Sequence, residues 1–203
     1  MTTHQHSLPA LAADAATALT GPRWGIVEAP NHVPALPGLY AIYGDDEALT
    51  DLGLELSSSS PLYIGKAEDS LVARELRGHF ASDPRYSART GSSTVRRSFA
   101  ALLRFSLDLH AVPRNIAKPE RFANYGLAAD GDERLTAWMH SRLSLAVWVA
   151  PARRPALLDQ VETLVIQQFG PPLNIAKNPK KLARLSRARR EMAAEAAAFA
   201  GSE

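Results

Sequence analysis

Hydrophobic positions change period along this chain, and the changes mark its elements. Two short runs rich in aromatic and β-branched residues predict strands with turn signals at their ends: Gly38-Leu39-Tyr40-Ala41-Ile42-Tyr43 after Pro37, and Leu62-Tyr63-Ile64-Gly65 after Pro61. Residues 145–149 are a third run of this kind. Elsewhere the spacing turns helical. Ser70 can cap a helix over about 71–78, and Ser93 a longer one. The second carries Val95, Phe99, Leu102, Ser106 and Leu109 on one side, with Arg97 and Arg104 sharing another. Further helices are predicted over about 132–143 and 156–169, the latter stopped by Gly170-Pro171-Pro172. The last, over 180–200, consists almost wholly of good helix formers. Residues 1–20 are alanine-rich without a clear apolar period, which predicts a mobile arm with at most a turn or two of helix.

Two early strands and one late one, with helices between, predict an α+β domain with a small sheet. The expected organisation is a flexible arm at 1–20, a body at 21–176 with a helical insert at about 81–143, and a basic C-terminal helix at 177–203. With 203 residues, 46% of them hydrophobic, the chain can bury a core. No stretch approaches 18 uninterrupted apolar residues, so no membrane span is expected. The first residues lack a basic segment followed by a continuous apolar one, so no signal peptide is expected. The absence of cysteine excludes disulfides and cysteine-based zinc sites and fits a cytoplasmic location. Net charge is only +2, but residues 177–190 hold seven basic side chains and no acidic one. Such a stripe either holds a phosphate backbone or is a solvated helix face.

Candidate chemistry begins with Glu162. At 100° per residue it falls inside the apolar arc of Leu157, Leu158, Val161, Leu164, Val165, Ile166 and Phe169. A carboxylate there is costly unless it is paired, binds a cation, or sits at the rim with its head in water. Asp159 falls outside the arc and reads as a surface acid. Tyr40 and Tyr63, taken singly, read as core residues with a hydroxyl at the edge.

Taken in order, these residues resemble the GIY-YIG nuclease family. Gly38-Leu39-Tyr40 stands for the first half-motif, and Leu62-Tyr63-Ile64-Gly65-Lys66-Ala67 contains the second. A helix with Arg74 and His79, then Glu162, then Asn174 in Pro171-Pro172-Leu173-Asn174 completes the set. The likeness covers residues 37–80 and about 145–175, and implies a three-stranded, mainly antiparallel sheet flanked by helices. The chain departs from the pattern in three places: a longer loop at 44–60, the insert, and the five-residue spacing of Arg74 and His79, which is about 140° on an ideal helix. Either Gly78 breaks the helix and brings His79 back, or Arg77 takes its place.

The resemblance implies phosphodiester hydrolysis, with DNA the expected substrate, and one Mg²⁺ or Mn²⁺ bound by Glu162. Tyr40 would position or deprotonate the attacking water, with Lys66 either lowering its pKa or remaining a surface lysine. Tyr63 would orient water or phosphate, Arg74 would grip phosphate oxygens, His79 would assist as base or donor, and Asn174 would support the site. Arg96, Arg97 and Arg104 near one helix start, with Lys180, Lys181, Arg184 and Arg187 on the last helix, are expected to wall a duplex channel and to contact backbone rather than bases. One site cuts one strand, so a duplex cut needs a homodimer or two encounters. Asn124, His110 and His140 read as structural, and His4 with His6 as a solvated tail. The alternatives are a nucleic-acid-binding module that keeps this fold without cleavage, and an adaptor whose basic helix meets an acidic partner.

Overall fold

Residues 38–44 are buried along their whole length, and their side chains alternate between two cores on opposite sides of one sheet. The computed structural model describes residues 7–81, 89–115, 119–151 and 155–200, so His4 and His6 lie outside the described residues. The elements are α1 (Leu8–Leu19), β1 (Trp24–Gly25), β2 (Gly38–Gly44), α2 (Asp46–Asp51), β3 (Tyr63–Ala67), α3 (Leu71–Arg74), α4 (Thr94–Leu103), β4 (Ala111–Val112), β5 (Gly126–Leu127), α5 (Gly131–Arg142), β6 (Leu143–Val149), α6 (Pro155–Phe169) and α7 (Ala183–Ala200).

The class is α+β, as the chain's periodicity implies. The sheet has four strands in the order β1-β6-β2-β3, each pair antiparallel, where three were expected. The added strand, β1, pairs only Trp24 with Leu145 and Gly25 with Ser144, and two residues are too few to carry a period. β4 and β5 form a separate two-stranded ribbon.

On one face, Leu39, Ala41, Tyr43, Ile64, Ala146 and Trp148 pack against α1 and α6. On the other, Tyr40, Ile42 and Leu145 meet residues of α3, α4, α5 and α7, including Leu71, Phe99, Trp138 and Met192. Val95, Phe99, Tyr125, Leu135 and Met139 all join this second core, so the predicted insert is integral to the fold.

Residues 8–19 are a packed helix rather than a mobile arm. Ser7 caps it, and Leu11, Ala12, Ala15, Ala16 and Leu19 are buried at helical spacing. Alanine also fills its outer positions, which hides that spacing in the sequence. The Tyr43 hydroxyl donates to the Leu19 carbonyl at 2.7 Å and the Trp148 indole to Asp14 at 2.8 Å, tying α1 to the sheet. No helix among the described residues is long and apolar enough to cross a membrane.

Candidate active site

Strand register sets the first two side chains. Tyr40 on β2 stands opposite Gly65 on β3, and Ile42 opposite Tyr63. A Cβ on Gly65 would collide with the Tyr40 hydroxyl and ring, so glycine here lets the phenol lie across β3. A Cβ on Gly38 would collide with the Trp148 carbonyl of β6, so the first glycine permits the central strand pairing. The rings of Tyr40 and Tyr63 then sit 6.1 Å apart, tilted by 32°. Asn174 fastens β3 from outside: its side-chain oxygen accepts from Ile64 N at 2.9 Å and its amide donates to Ile64 O at 2.8 Å.

The helix after β3 is not α-helical throughout. Ser70 caps α3, which changes at Glu75 into a π-helical turn, Glu75–His79, where Phe80 N reaches back five residues to Glu75 O at 2.8 Å. An i→i+5 turn brings together positions five apart, so the spacing of Arg74 and His79 fits one side of the site without a break at Gly78. His79 is buried, its Nε2 lies 3.2 Å from the Tyr40 hydroxyl, and its Nδ1 lies 2.7 Å from Ser93 Oγ. Ser93 also caps α4 by accepting from Arg96 N at 3.1 Å. Tyr40, His79 and Ser93 thus form a buried relay that either histidine tautomer can close.

Burial dominates the electrostatics. It pushes Tyr40 well above its ordinary value, helped by Glu75 and Tyr63 and opposed by Arg74. Tyr63 is pushed up to about 12 by burial and by Glu162. His79 is driven down to about 3 by burial, then Arg74 and Arg96, so it is neutral at physiological pH. The cation acting on Tyr40 is Arg74; Lys66, for which the sequence leaves either role open, pairs with Glu68 at 2.7 Å and Asp159 at 2.9 Å. Glu75 is fully buried and both its oxygens lack a hydrogen-bond partner of normal geometry. Burial raises its carboxyl far above the carboxylate range, although Arg74 and Tyr40 are near enough to oppose this.

Glu162 faces this group from α6. It is 8% exposed, and Tyr40, Tyr63, Lys66, Ser70, Arg74 and Glu162 line one cleft of about 510 Å³. Lys177 Nζ lies 2.6 Å from Glu162 Oε2 and 2.6 Å from Asp159 Oδ1. Asp159 is therefore no isolated surface acid; hydrogen bonds from Lys177 and Lys66 hold its carboxyl down to about 2.

Among the described residues, no group of three or more histidine, aspartate or glutamate side chains could hold a metal. Glu162 alone fits a hard, mostly hydrated ion such as Mg²⁺, which needs few protein ligands. Its carboxylate accepts from Lys177 through Oε2, and the residue lines the cleft.

The expected nucleic-acid surface is rearranged. Arg96 is fully buried: it donates to His79 O and pairs with Asp132 at 2.9 Å, which supports the relay, and its burial keeps it from a phosphate at the surface. Arg97 is also buried, with bonds to the Gly91 carbonyl and Thr94 hydroxyl, and burial beside Arg189 and Arg114 lowers its pKa to about 10. Arg104 pairs with Glu195 at 3.0 Å and Arg184 donates to the Leu52 and Gly53 carbonyls. α4 and α7 pack directly on each other, so they cannot be opposite walls of a channel. Arg104, Arg184 and Arg187 line a separate cleft, and Lys180, Lys181 and Arg187 remain exposed.

Three functional candidates escaped the sequence. Lys177 was visible only as part of a basic run, Ser93 only as a cap and a hydroxyl at a helix start suited to phosphate, and Glu75 carried no periodic signal. The family model described as a GIY-YIG catalytic domain matches residues 42–191, which include Tyr63, Arg74, His79, Glu162 and Lys177 and begin two residues after Tyr40. No curated protein and no solved structure matches the chain.

Proposed function

The chain belongs to the GIY-YIG catalytic-domain family, and on that premise we propose that it is an endonuclease that hydrolyses phosphodiester bonds in DNA with a divalent cation at Glu162. The family indicates nuclease-type activity, and hence a nucleic-acid substrate, in general terms. The observation that carries the finer reading is the single cleft lined by Tyr40, Tyr63, Arg74 and Glu162, with His79 reached through Tyr40.

In this reading Arg74 grips two oxygens of the scissile phosphate, which its planar fork suits. Tyr63 orients the phosphate through its hydroxyl. The attacking water is held by Tyr40, which stays a neutral phenol: as the water's O–H bond breaks, its proton goes to the Tyr40 oxygen while the Tyr40 proton goes to His79 Nε2. No free phenolate is needed, which suits a phenol whose burial disfavours charge, while the positive charge moved onto His79 is opposed by burial, Arg74 and Arg96 and so lasts only through the transfer. A cation at Glu162 would supply charge stabilisation at the phosphate and the leaving oxygen.

Lys177 on Glu162 favours a second reading, a nucleic-acid-binding module that keeps the fold without cleavage, because the carboxylate is already neutralised. Duplex DNA and duplex RNA of one sequence, each incubated with Mg²⁺ and with Mn²⁺, test the proposal. Metal-dependent cuts in DNA are expected. Cuts confined to RNA overturn the substrate, and salt-sensitive binding without cuts supports the module.

A further inference from the structure

Lys177 is placed as a device rather than as one charge of a basic run. Its ammonium sits 2.6 Å from two carboxylates, Glu162 Oε2 and Asp159 Oδ1, three residues apart on α6. The two differ in setting. The Glu162 side chain is 11% exposed and faces the cleft, while that of Asp159 is 48% exposed and also holds Lys66 at 2.9 Å. Lys177 itself adopts a left-handed backbone with φ of 62°, which a residue with a side chain rarely takes. Such a conformation persists only where its surroundings impose it, and it often marks function. Here the turn after Asn174 delivers the ammonium to Glu162, the carboxylate that α6 brings into the cleft lined also by Tyr40, Arg74, Glu68 and Asp69.

Two cations held on one nearly buried carboxylate repel each other. We infer that Lys177 is a tethered counter-ion that holds Glu162 before a divalent cation arrives and withdraws onto Asp159 when one binds, so that this lysine sets the site's affinity for metal. This rests on the reading of Glu162 as the metal ligand. The exchange needs no new partner for Lys177, because its bond to Asp159 already exists. It also gives Asp159 a part: as the more exposed carboxylate it retains the lysine while the cleft fills.

The test is direct binding of Mn²⁺ to the full chain, followed by the loss of the free-ion spectrum in electron paramagnetic resonance, with melting curves to confirm folding. The forms compared are wild type, Lys177→Met, Lys177→Gly, Asp159→Asn and Glu162→Gln. Glycine accepts the left-handed backbone and guards against a folding artefact in the methionine variant. Both Lys177 variants are expected to bind at least about fivefold more tightly than wild type once the competing charge is gone. Asp159→Asn is expected to bind more weakly, since Lys177 then clings to Glu162. Unchanged or weaker binding in both Lys177 variants, with binding abolished in Glu162→Gln, overturns the exchange and leaves the metal ligand standing. Wild-type binding in Glu162→Gln, or none in any form, overturns the metal-ligand reading itself.

Discussion

Tyr40 and Tyr43 lie three residues apart on one strand, both essentially buried, yet they serve opposite faces of the sheet. The Tyr43 hydroxyl has an unambiguous backbone acceptor, the Leu19 carbonyl at 2.7 Å, in a core built from apolar residues of the sheet, α1 and α6, with the Arg23 guanidinium over its ring at 3.7 Å. The Tyr40 hydroxyl meets a titratable side chain, His79, in a core that also buries Glu75 and Arg96. A buried polar group bonded to backbone completes a fold. Buried polar groups bonded mainly to one another, with a carboxyl left unpartnered, are tolerated where something else requires them. The difference separates the structural face from the one that carries the candidate site without appeal to the cleft.

The largest effect should come from exchanging the hydroxyls' roles. Tyr40→Phe is expected to lower the DNA cleavage rate by roughly 10²–10⁴-fold, as loss of a proton-transfer group does, while Tyr43→Phe stays within about twofold of wild type. Initial rates on one plasmid substrate check both, and equal losses would erase the distinction between the faces. Gly65→Ala sharpens it from the strand beneath. The added methyl forces the Tyr40 ring off β3, and cleavage is expected to fall about a hundredfold through misplacement alone. Normal rates there would mean that the phenol's position does not matter.

Stability should reverse the order of the two tyrosines' variants in activity. Tyr43→Phe leaves the buried Leu19 carbonyl unpaired and should cost about 1–3 kcal/mol by urea unfolding. A variant as stable as wild type would show that this face does not depend on the bond.

The smallest effects lie in pH. The Glu75 carboxyl is raised above its ordinary 4.5, so the folded chain holds a proton that the unfolded chain has lost, and stability declines as pH climbs above 4.5. His79 is lowered from 6.5 to about 3, so its neutral form stabilises the fold above pH 6.5 and that contribution is lost as pH falls through this window. Between 4.5 and 6.5 the two oppose each other. Melting temperatures across pH should therefore decline less above 4.5 in Glu75→Gln, and less on acidification in His79→Gln. Curves parallel to wild type in both variants would remove the buried polar pair from the account.

Much of the face that carries the candidate site was legible because strands led by proline and built from aromatic and β-branched residues announce their limits, as residues 38–44 and 63–67 do. Glu162 was legible because a carboxylate inside an apolar helical arc breaks a pattern. The π-turn was not, since five-residue spacing looks like a misfit until the Phe80–Glu75 bond is seen. Arg96 and Arg97 misled because a capped helix start with arginines looks the same whether it meets solvent or core; Asp132, distant in sequence, decides it for Arg96, and the Gly91 carbonyl, presented by the turn before the helix, for Arg97. Lys177 was hidden for a related reason: its partners lie 15 and 18 residues away across a turn whose left-handed residue has no sequence signature. Helix α1 escaped because alanine occupies both its buried and its exposed sides.

The most direct test incubates supercoiled plasmid with Mg²⁺, with Mn²⁺ and with EDTA, comparing wild type with Glu162→Ala. Nicking or linearisation by wild type is expected with either metal, with none in EDTA and none by the variant. Cleavage that persists in Glu162→Ala, or that proceeds in EDTA, would contradict the reading of Glu162 as the metal ligand.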